Sequence, residues 1–140
     1  MSIEEKQRAV IDEFSMFDDW MEKYEYIIDI GKELPQLSEN LKDDTQIIEG
    51  CQSRVWLKSE YVNDTMSFLA DSDAIITKGI IALLIRVLNN ESPKNIASAD
   101  LFFINEIGLK DHLSPTRANG LVSMVKRMKL DAIKLVNSAK

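Results

Sequence analysis

The sequence predicts an α+β fold in which a small antiparallel sheet of three strands packs with several helices. Two segments with helical periodicity come first, a strand-like region occupies the middle, and the second half is again helical. The chain has 140 residues, 45% of them apolar, which is enough for one globular domain over 1–140 with a core of its own.

Two amphipathic helices are expected in the first third of the chain. Apolar residues recur at helical spacing over about 2–15 and again over about 18–32. Gly31 or the Leu34-Pro35 pair should end the second helix, because a proline disfavours helical geometry in the residue before it. The polar residues 38–44 then predict a surface loop.

The three strands are expected in the middle of the chain. Residues 46–49 are short and β-branched, and residues 52–62 alternate between apolar and charged side chains. Asn63-Asp64 suits a two-residue hairpin turn, since both residues tolerate positive φ. The returning strand would point Met66, Phe68 and Ala70 inward. A sheet this small needs helical cover.

A central helix and a long C-terminal helix are expected in the second half. Residues 75–88 are apolar nearly all round, which is typical of a helix buried on most sides. Any of Asp71, Ser72 and Asp73 can cap it. A short helix should follow Ser92-Pro93 and another should cover 101–107. Ser114-Pro115 then begins a long helix that runs to about Ser138.

Charge and composition exclude several classes of protein. The net charge is −6, from 23 acidic and 17 basic residues, which argues against nucleic-acid binding through a general basic surface. One cluster, Lys126, Arg127, Lys129 and Lys134, is basic, but a solvated helix face is the simpler interpretation. The longest apolar run, 80–85, is too short for a membrane span. One unpaired cysteine and no secretory signal predict a cytoplasmic protein.

Cys51 is the one cysteine, and it follows Gly50 between two strand-like segments. A glycine at this position permits a sharp turn, so the thiol can stand on a loop, where it suits nucleophilic attack or carriage of a group on sulfur. Free cysteines are also often buried as small apolar residues, so a structural role stays open. With one cysteine and one histidine, His112, a zinc site is not expected. We assign no catalytic role to His112 and expect it on a loop.

Three other places in the sequence depart from local rules. Arg117 stands in the first turn of the last helix, where the helix dipole disfavours a cation, so it is either paired with an acid or held for an anion. Asp71 and Asp73 leave one acid beyond what capping needs, and that acid is available to Arg117 or to the chemistry. Trp56 interrupts the strand alternation and is either a core residue or a partner contact.

These segments together resemble the SufE family of sulfur acceptors. The resemblance covers nearly the whole chain, in order and spacing. It is carried by Glu49-Gly50-Cys51-Gln52-Ser53-Arg54-Val55-Trp56-Leu57, by Ala70-Asp71-Ser72-Asp73-Ala74 with Lys78-Gly79-Ile80-Ile81-Ala82, and by His112-Leu113-Ser114-Pro115-Thr116-Arg117 with Asn119-Gly120-Leu121.

The resemblance implies a function and a set of site residues. Members of the family take sulfane sulfur from a pyridoxal-phosphate cysteine desulfurase, carry it on one cysteine and deliver it to iron–sulfur cluster assembly. It implies Cys51 as the persulfide carrier, with Asp73 and Arg117 near it, and a fold shared with IscU-type scaffolds. Those scaffolds need several cysteines, so a scaffold role is not expected. Arg54 departs from the glutamine that many relatives carry.

The implied partners are a desulfurase of the SufS or CsdA type and a scaffold complex of the SufBCD type, with the protein itself a monomer or homodimer. No cofactor is expected on this chain, since the pyridoxal phosphate belongs to the desulfurase. The alternative is a regulatory module that docks on a desulfurase or another enzyme, with Cys51 structural. An independent thiol hydrolase lacks support, because nothing in the sequence links the single histidine to the cysteine.

Overall fold

The computed structural model describes residues 2–35, 37–42, 45–51 and 53–138. Within these ranges the helices are α1 Ile3–Phe14, α2 Trp20–Lys32, α3 Ile75–Leu88, α4 Pro93–Ser98, α5 Phe103–Glu106 and α6 Pro115–Ser138, the strands are β1 Val55–Val62 and β2 Thr65–Ser72, and 3-10 turns cover Glu39–Leu41 and Lys110–His112. The α+β class with an antiparallel sheet, and the long C-terminal helix, are confirmed. Asp43 and Asp44 of the predicted loop, and Gln52 at the predicted strand start, lie outside the described residues.

The sheet has two strands in the described part of the chain, not the three predicted. β1 and β2 pair antiparallel, from Val55 opposite Ser72 to Val62 opposite Thr65. The turn between them is the expected one, with φ of 54° at Asn63 and 66° at Asp64.

The predicted first strand is reduced to a single bridge between Ile47 and Trp56. Two hydrogen bonds close it, from Ile48 N to Val55 O and from Leu57 N to Gln46 O, both at 2.8 Å. The carbonyls of Thr45 and Ile47 accept hydrogen bonds from the Arg127 side chain instead of from a further strand. The chain therefore leaves the sheet here and follows α6.

α3 occupies the centre of the molecule. Eleven of its 14 residues are buried, and it packs against α1, α2, α6 and β2. α2 and α3 cross at two glycines: a Cβ added to Gly79 would lie 2.2 Å from the carbonyl oxygen of Ile27, and one added to Gly31 would lie 2.8 Å from the backbone nitrogen of Gly79. The two helices therefore touch backbone to backbone, with no room for a side chain between them.

Two local expectations are wrong. The N-cap of α3 is Ala74, which makes no side-chain cap, so neither Asp71 nor Asp73 caps this helix. Both acids are used elsewhere, as described below. The second correction is in length: the helix expected over 101–107 is only one turn, Phe103–Glu106. Gly108, with φ of 74°, turns the chain after this helix.

Candidate functional site

Cys51 lies where the chain turns away from the sheet and meets α6. Gly50 has a φ of 91°, a backbone conformation that residues with a side chain rarely adopt. A Cβ at this position would also lie 2.5 Å from Ser123 Oγ on α6. The sharp turn and the close approach both require glycine, and together they place the thiol against the helix.

The Cys51 thiol is half-buried against the first turns of α6. Its S–H donates a weak hydrogen bond to the carbonyl oxygen of Gly120, with Sγ 3.7 Å away. A Cβ added to Gly120 would lie 3.4 Å from Sγ, an ordinary contact distance, so the sulfur packs directly against α6 at this residue. Burial raises the pKa of the Cys51 thiol above its ordinary value, since the charged thiolate is poorly solvated there. The resting group is therefore the neutral thiol at neutral pH.

The thiol opens on a small cleft between α3 and the start of α6. The cleft has a volume of about 70 Å³. Its other walls come from Ser53, Thr77, Ile80, Thr116, Arg117 and Met124. Such a volume accommodates a few atoms at most, which suits a sulfur atom or a small anion better than an organic substrate.

Arg117 lines this cleft from the first turn of α6, and the structure thus brings it together with Cys51. Its backbone N–H is capped by Ser114 Oγ at 3.3 Å, and its side chain is exposed. Within the described residues no carboxylate pairs with its guanidinium. The predicted pairing with a nearby acid is not seen there, and the group is available to an incoming anion.

Asp73 does not line the cleft with Cys51 and Arg117. Its Oδ1 accepts a hydrogen bond from the backbone N–H of Arg54 at 3.0 Å, and its own N–H donates to the carbonyl of Arg54 at 3.2 Å. The Ser72 hydroxyl donates to the same carbonyl at 2.8 Å. Asp73 therefore holds the start of β1, three residues after the thiol, and its observed contacts are with backbone.

Asp71, which the sequence offered as a cap or as an acid available to Arg117 or to the chemistry, pairs with two lysines instead. It is buried, and Lys42 and Lys78 lie 3.1 and 3.2 Å from its carboxylate oxygens. Burial opposes ionisation, but hydrogen bonds from Lys42, the Ser72 backbone and Lys78 hold the pKa of Asp71 below its usual value. The same Lys42 ammonium lies 5.4 Å from the ring centre of half-buried Trp56. No local pattern links Lys42 to this site.

His112 and the basic cluster lie apart from the cleft. The His112 ring stacks on Trp20 with centroids 3.9 Å apart, and its Nδ1 lies 3.0 Å from the carbonyl oxygen of Gly108. In the basic cluster, Lys126 and Lys134 are solvated as expected. Arg127 and Lys129 are instead tied into the fold, Arg127 to Asp131 at 3.3 Å and Lys129 to the carbonyl of Ala99.

Membrane-spanning helices and metal-binding clusters both bear on function. Within the described ranges, no helix is both long and apolar enough to cross a bilayer. The same ranges hold no group of three or more His, Cys, Asp or Glu side chains placed to bind a metal ion.

Comparison with known proteins gives the family of the chain. Residues 8–132 match the model of the SufE family, described as an Fe-S metabolism associated domain. An uncharacterized SufE-like protein of Rhizobium etli is 41% identical over 128 residues, which cover 88% of this chain and 86% of that one. A second, from Rhizobium meliloti, is 36% identical over 128 residues, covering 88% and 91%.

A solved structure extends the comparison to the fold. The solution structure of a hypothetical protein from Thermus thermophilus superposes with a TM-score of 0.78 over 94% of this chain and 96% of that one, at 16% identity. That similarity supports the architecture alone. The family model and the two rhizobial relatives span most of the sequence, including Cys51, Asp73 and Arg117, and the chain therefore belongs to the SufE family.

Proposed function

We propose that this protein is a cytoplasmic sulfur acceptor that carries sulfane sulfur on Cys51. It receives the sulfur from a pyridoxal-phosphate cysteine desulfurase of the SufS or CsdA type, stimulates that enzyme, and passes the sulfur to a scaffold complex of the SufBCD type. The proposal builds on the family's association with Fe-S metabolism. The observation that carries it is the placement of the single cysteine on a glycine turn, at the mouth of a cleft that it shares with the exposed Arg117.

The transfer step is a thiol–persulfide exchange that needs no added oxidant. The Cys51 thiolate attacks the outer sulfur of the donor persulfide, and a new S–S bond forms on Cys51. The S–S bond of the donor breaks, and its electron pair leaves on the donor cysteine, which takes up a proton. The sulfane sulfur keeps its oxidation state throughout.

The resting geometry suppresses this reaction in the free protein. A free thiol has a pKa of about 8.5 and is only a few per cent ionised at neutral pH. Burial raises the pKa of Cys51 further, and the hydrogen bond to Gly120 favours the protonated sulfur. Displacement of the turn from α6, when a donor docks, removes both effects. Arg117, at the mouth of the cleft, then supplies a cation for the thiolate or the arriving persulfide.

The experiment is a sulfur-loading assay followed by mass spectrometry of the intact protein. We expect desulfurase and cysteine to add one sulfur atom, localised to Cys51, and Cys51→Ser to stay unloaded and to stimulate turnover less than wild type. Absence of the added sulfur, or equal stimulation by Cys51→Ser, would overturn the carrier function.

The half-burial of the thiol also favours a second candidate, a regulatory module that docks on a desulfurase with Cys51 as a packing residue. The two differ in what docking does to the thiol. A carrier exposes it, so alkylation of Cys51 should accelerate when the desulfurase is added, whereas a packing cysteine should alkylate slowly with or without the partner.

A further inference from the structure

α6 holds the segment before and including Cys51 (residues 45–51) through residues about one turn apart, by the backbone of Gly120 and the side chains of Ser123 and Arg127. Gly120 contacts the thiol, Ser123 contacts Gly50, and Arg127 contacts the carbonyls of Thr45 and Ile47. The segment thus runs antiparallel to the helix, with the thiol at the N-terminal end of the contact and the arginine at the other.

The contact at Arg127 is built from both ends of the guanidinium. Nη1 donates to the carbonyl of Ile47 at 3.2 Å, and Nη2 donates to that of Thr45 at 3.4 Å. On its other side Nε donates to Asp131 Oδ1 at 3.3 Å, and Asp131 Oδ2 accepts a hydrogen bond from Ser59 of β1 at 2.7 Å. A planar fork with fixed donors is suited to two carbonyls at once. Arg127 therefore joins α6, β1 and the segment into one unit.

The contacts at the other end of the segment are weaker. Among the described residues, Cys51 Sγ makes one long hydrogen bond, to the carbonyl of Gly120, and Gly50 lies in van der Waals contact with Ser123. Displacing the thiol costs little there, whereas displacing Ile47 breaks hydrogen bonds to a charged donor and the bridge to Trp56.

We propose that Arg127 is a positioning residue for sulfur transfer: it fixes the upstream end of the Cys51 segment, so that the thiol rests against Gly120 and leaves α6 as a short tethered arm. The significance for transfer rests on the proposed function, but the anchoring itself does not. With Ile48 held by its bond to Val55, two residues lie between the anchor and Cys51, so the Cys51 backbone stays within roughly 10 Å of Ile48.

The test is the rate of Cys51 alkylation in the free protein as a function of pH, with iodoacetamide as the probe. Arg127→Gln should release the segment, so that alkylation becomes roughly five- to tenfold faster at pH 7 and its pH profile moves toward that of an ordinary thiol. Arg127→Lys keeps the charge but loses the fork, and should also be faster than wild type. Lys126→Gln is the matched control, because it removes the same charge from the neighbouring exposed position.

The direction of the change separates anchoring from electrostatics. Loss of a nearby cation by itself raises the pKa of a thiol and slows alkylation, whereas loss of an anchor exposes the thiol and accelerates it. An unchanged or slower rate in both Arg127 variants, or an equal acceleration in Lys126→Gln, overturns the proposal. If Arg127→Gln does not fold, as judged by urea unfolding, Arg127→Lys decides the outcome.

A second arm separates this proposal from the proposed function. In Arg127→Gln, sulfur loading by a desulfurase should show a raised KM for the acceptor protein, because the released segment no longer holds the thiol in one position. If wild type itself takes up no sulfur, the carrier function fails while the alkylation result still decides the anchoring.

Discussion

Gly50→Ala should loosen the thiol without unfolding the protein. In the resting structure Gly50 has a φ of 91°, and an added Cβ would lie 2.5 Å from Ser123 Oγ. Both penalties exist only while the turn lies on α6. When the turn is displaced, alanine adopts an ordinary conformation and the contact with Ser123 is gone. The substitution therefore raises the energy of the shielded state relative to the released one.

The magnitude follows from three contributions. Left-handed geometry costs an alanine about 1–2 kcal/mol. Relief of the clash requires the Ser123 hydroxyl to rotate away from the carbonyl of Asn119, to which it donates at 3.1 Å, and this costs about 0.5–1.5 kcal/mol. Against these, alanine reduces the entropy of the released chain, which is worth about 0.4–1 kcal/mol. The net shift of about 0.5–3 kcal/mol corresponds to a roughly 2- to 150-fold larger released population.

The assay is Cys51 alkylation at neutral pH, with global stability measured in parallel by urea unfolding. Gly108→Ala is the matched control, because Gly108 also has a positive φ, 74°, and its added Cβ would meet Trp20 at an ordinary 3.5 Å, away from the thiol. The control should lose stability without faster alkylation. Adding Ser123→Ala to Gly50→Ala should recover the steric part of the effect and leave the backbone part.

One result would refute this reasoning: Gly50→Ala alkylating at the wild-type rate while Gly108→Ala shows the expected loss of stability. The turn would then tolerate a side chain, and the thiol would not be held by the geometry described.

Three further predictions concern the surrounding structure. Asp71→Asn should lower the unfolding free energy at pH 7 by about 1–3 kcal/mol, because it removes the charge that Lys42 and Lys78 share. Since the folded-state pKa of Asp71 is depressed, this stabilisation is present at neutral pH and is lost as pH falls below about 4. The unfolding free energy of the variant, measured by urea titration at several pH values, should therefore fall less steeply in acid than that of wild type. An unchanged slope of unfolding free energy against pH would contradict the role of this carboxylate. Gly79→Ala should destabilise by about 1–3 kcal/mol despite the helix propensity of alanine, with a lower urea midpoint, and a stabilised variant would contradict the close helix crossing. Arg117→Ala should leave the pH profile of alkylation in the free protein unchanged, because burial sets the thiol pKa, but should slow sulfur loading; a shifted profile in the free protein would contradict this.

Helical periodicity and turn chemistry were enough to predict the helices and the hairpin. The uniformly apolar stretch of α3, the proline signals before α4 and α6, and the Asn63-Asp64 turn are local features, and each is found in place. The missing third strand is a different case. Residues 46–49 have strand-like composition, but in the described residues their pairing with β1 is limited to the bridge between Ile47 and Trp56. The carbonyls of Thr45 and Ile47 face away from β1 and are bound by Arg127, eighty residues later than Ile47, which directs the segment along α6. No local pattern contains that information.

The candidate site residues were likewise predictable where local features mark them and not where distant contacts do. Cys51 was identified by its uniqueness and its glycine, and Arg117 by its unfavourable place in a helix dipole. The shielding of the thiol depends on Gly120, and the hold on Arg54 depends on Asp73, which are contacts between segments far apart in sequence. The ion pair of Asp71 with Lys42 was not predicted, because Lys42 lies in an irregular segment that carries no periodic signal; Asp71 had been offered only as a cap or as an acid available to Arg117 or to the chemistry.

The glycine crossing of α2 and α3 also tells where this protein can be engineered. Thr77 and Ile80, which form the floor of the cleft, flank Gly79, where the two backbones leave no layer of side chains to adjust. Larger side chains at Thr77 or Ile80 would force the two helix backbones apart. Smaller side chains at Thr116 or Ser53, on the rim of the cleft, would leave the packing of the core unchanged. Efforts to fit a bulkier sulfur donor should begin at the rim.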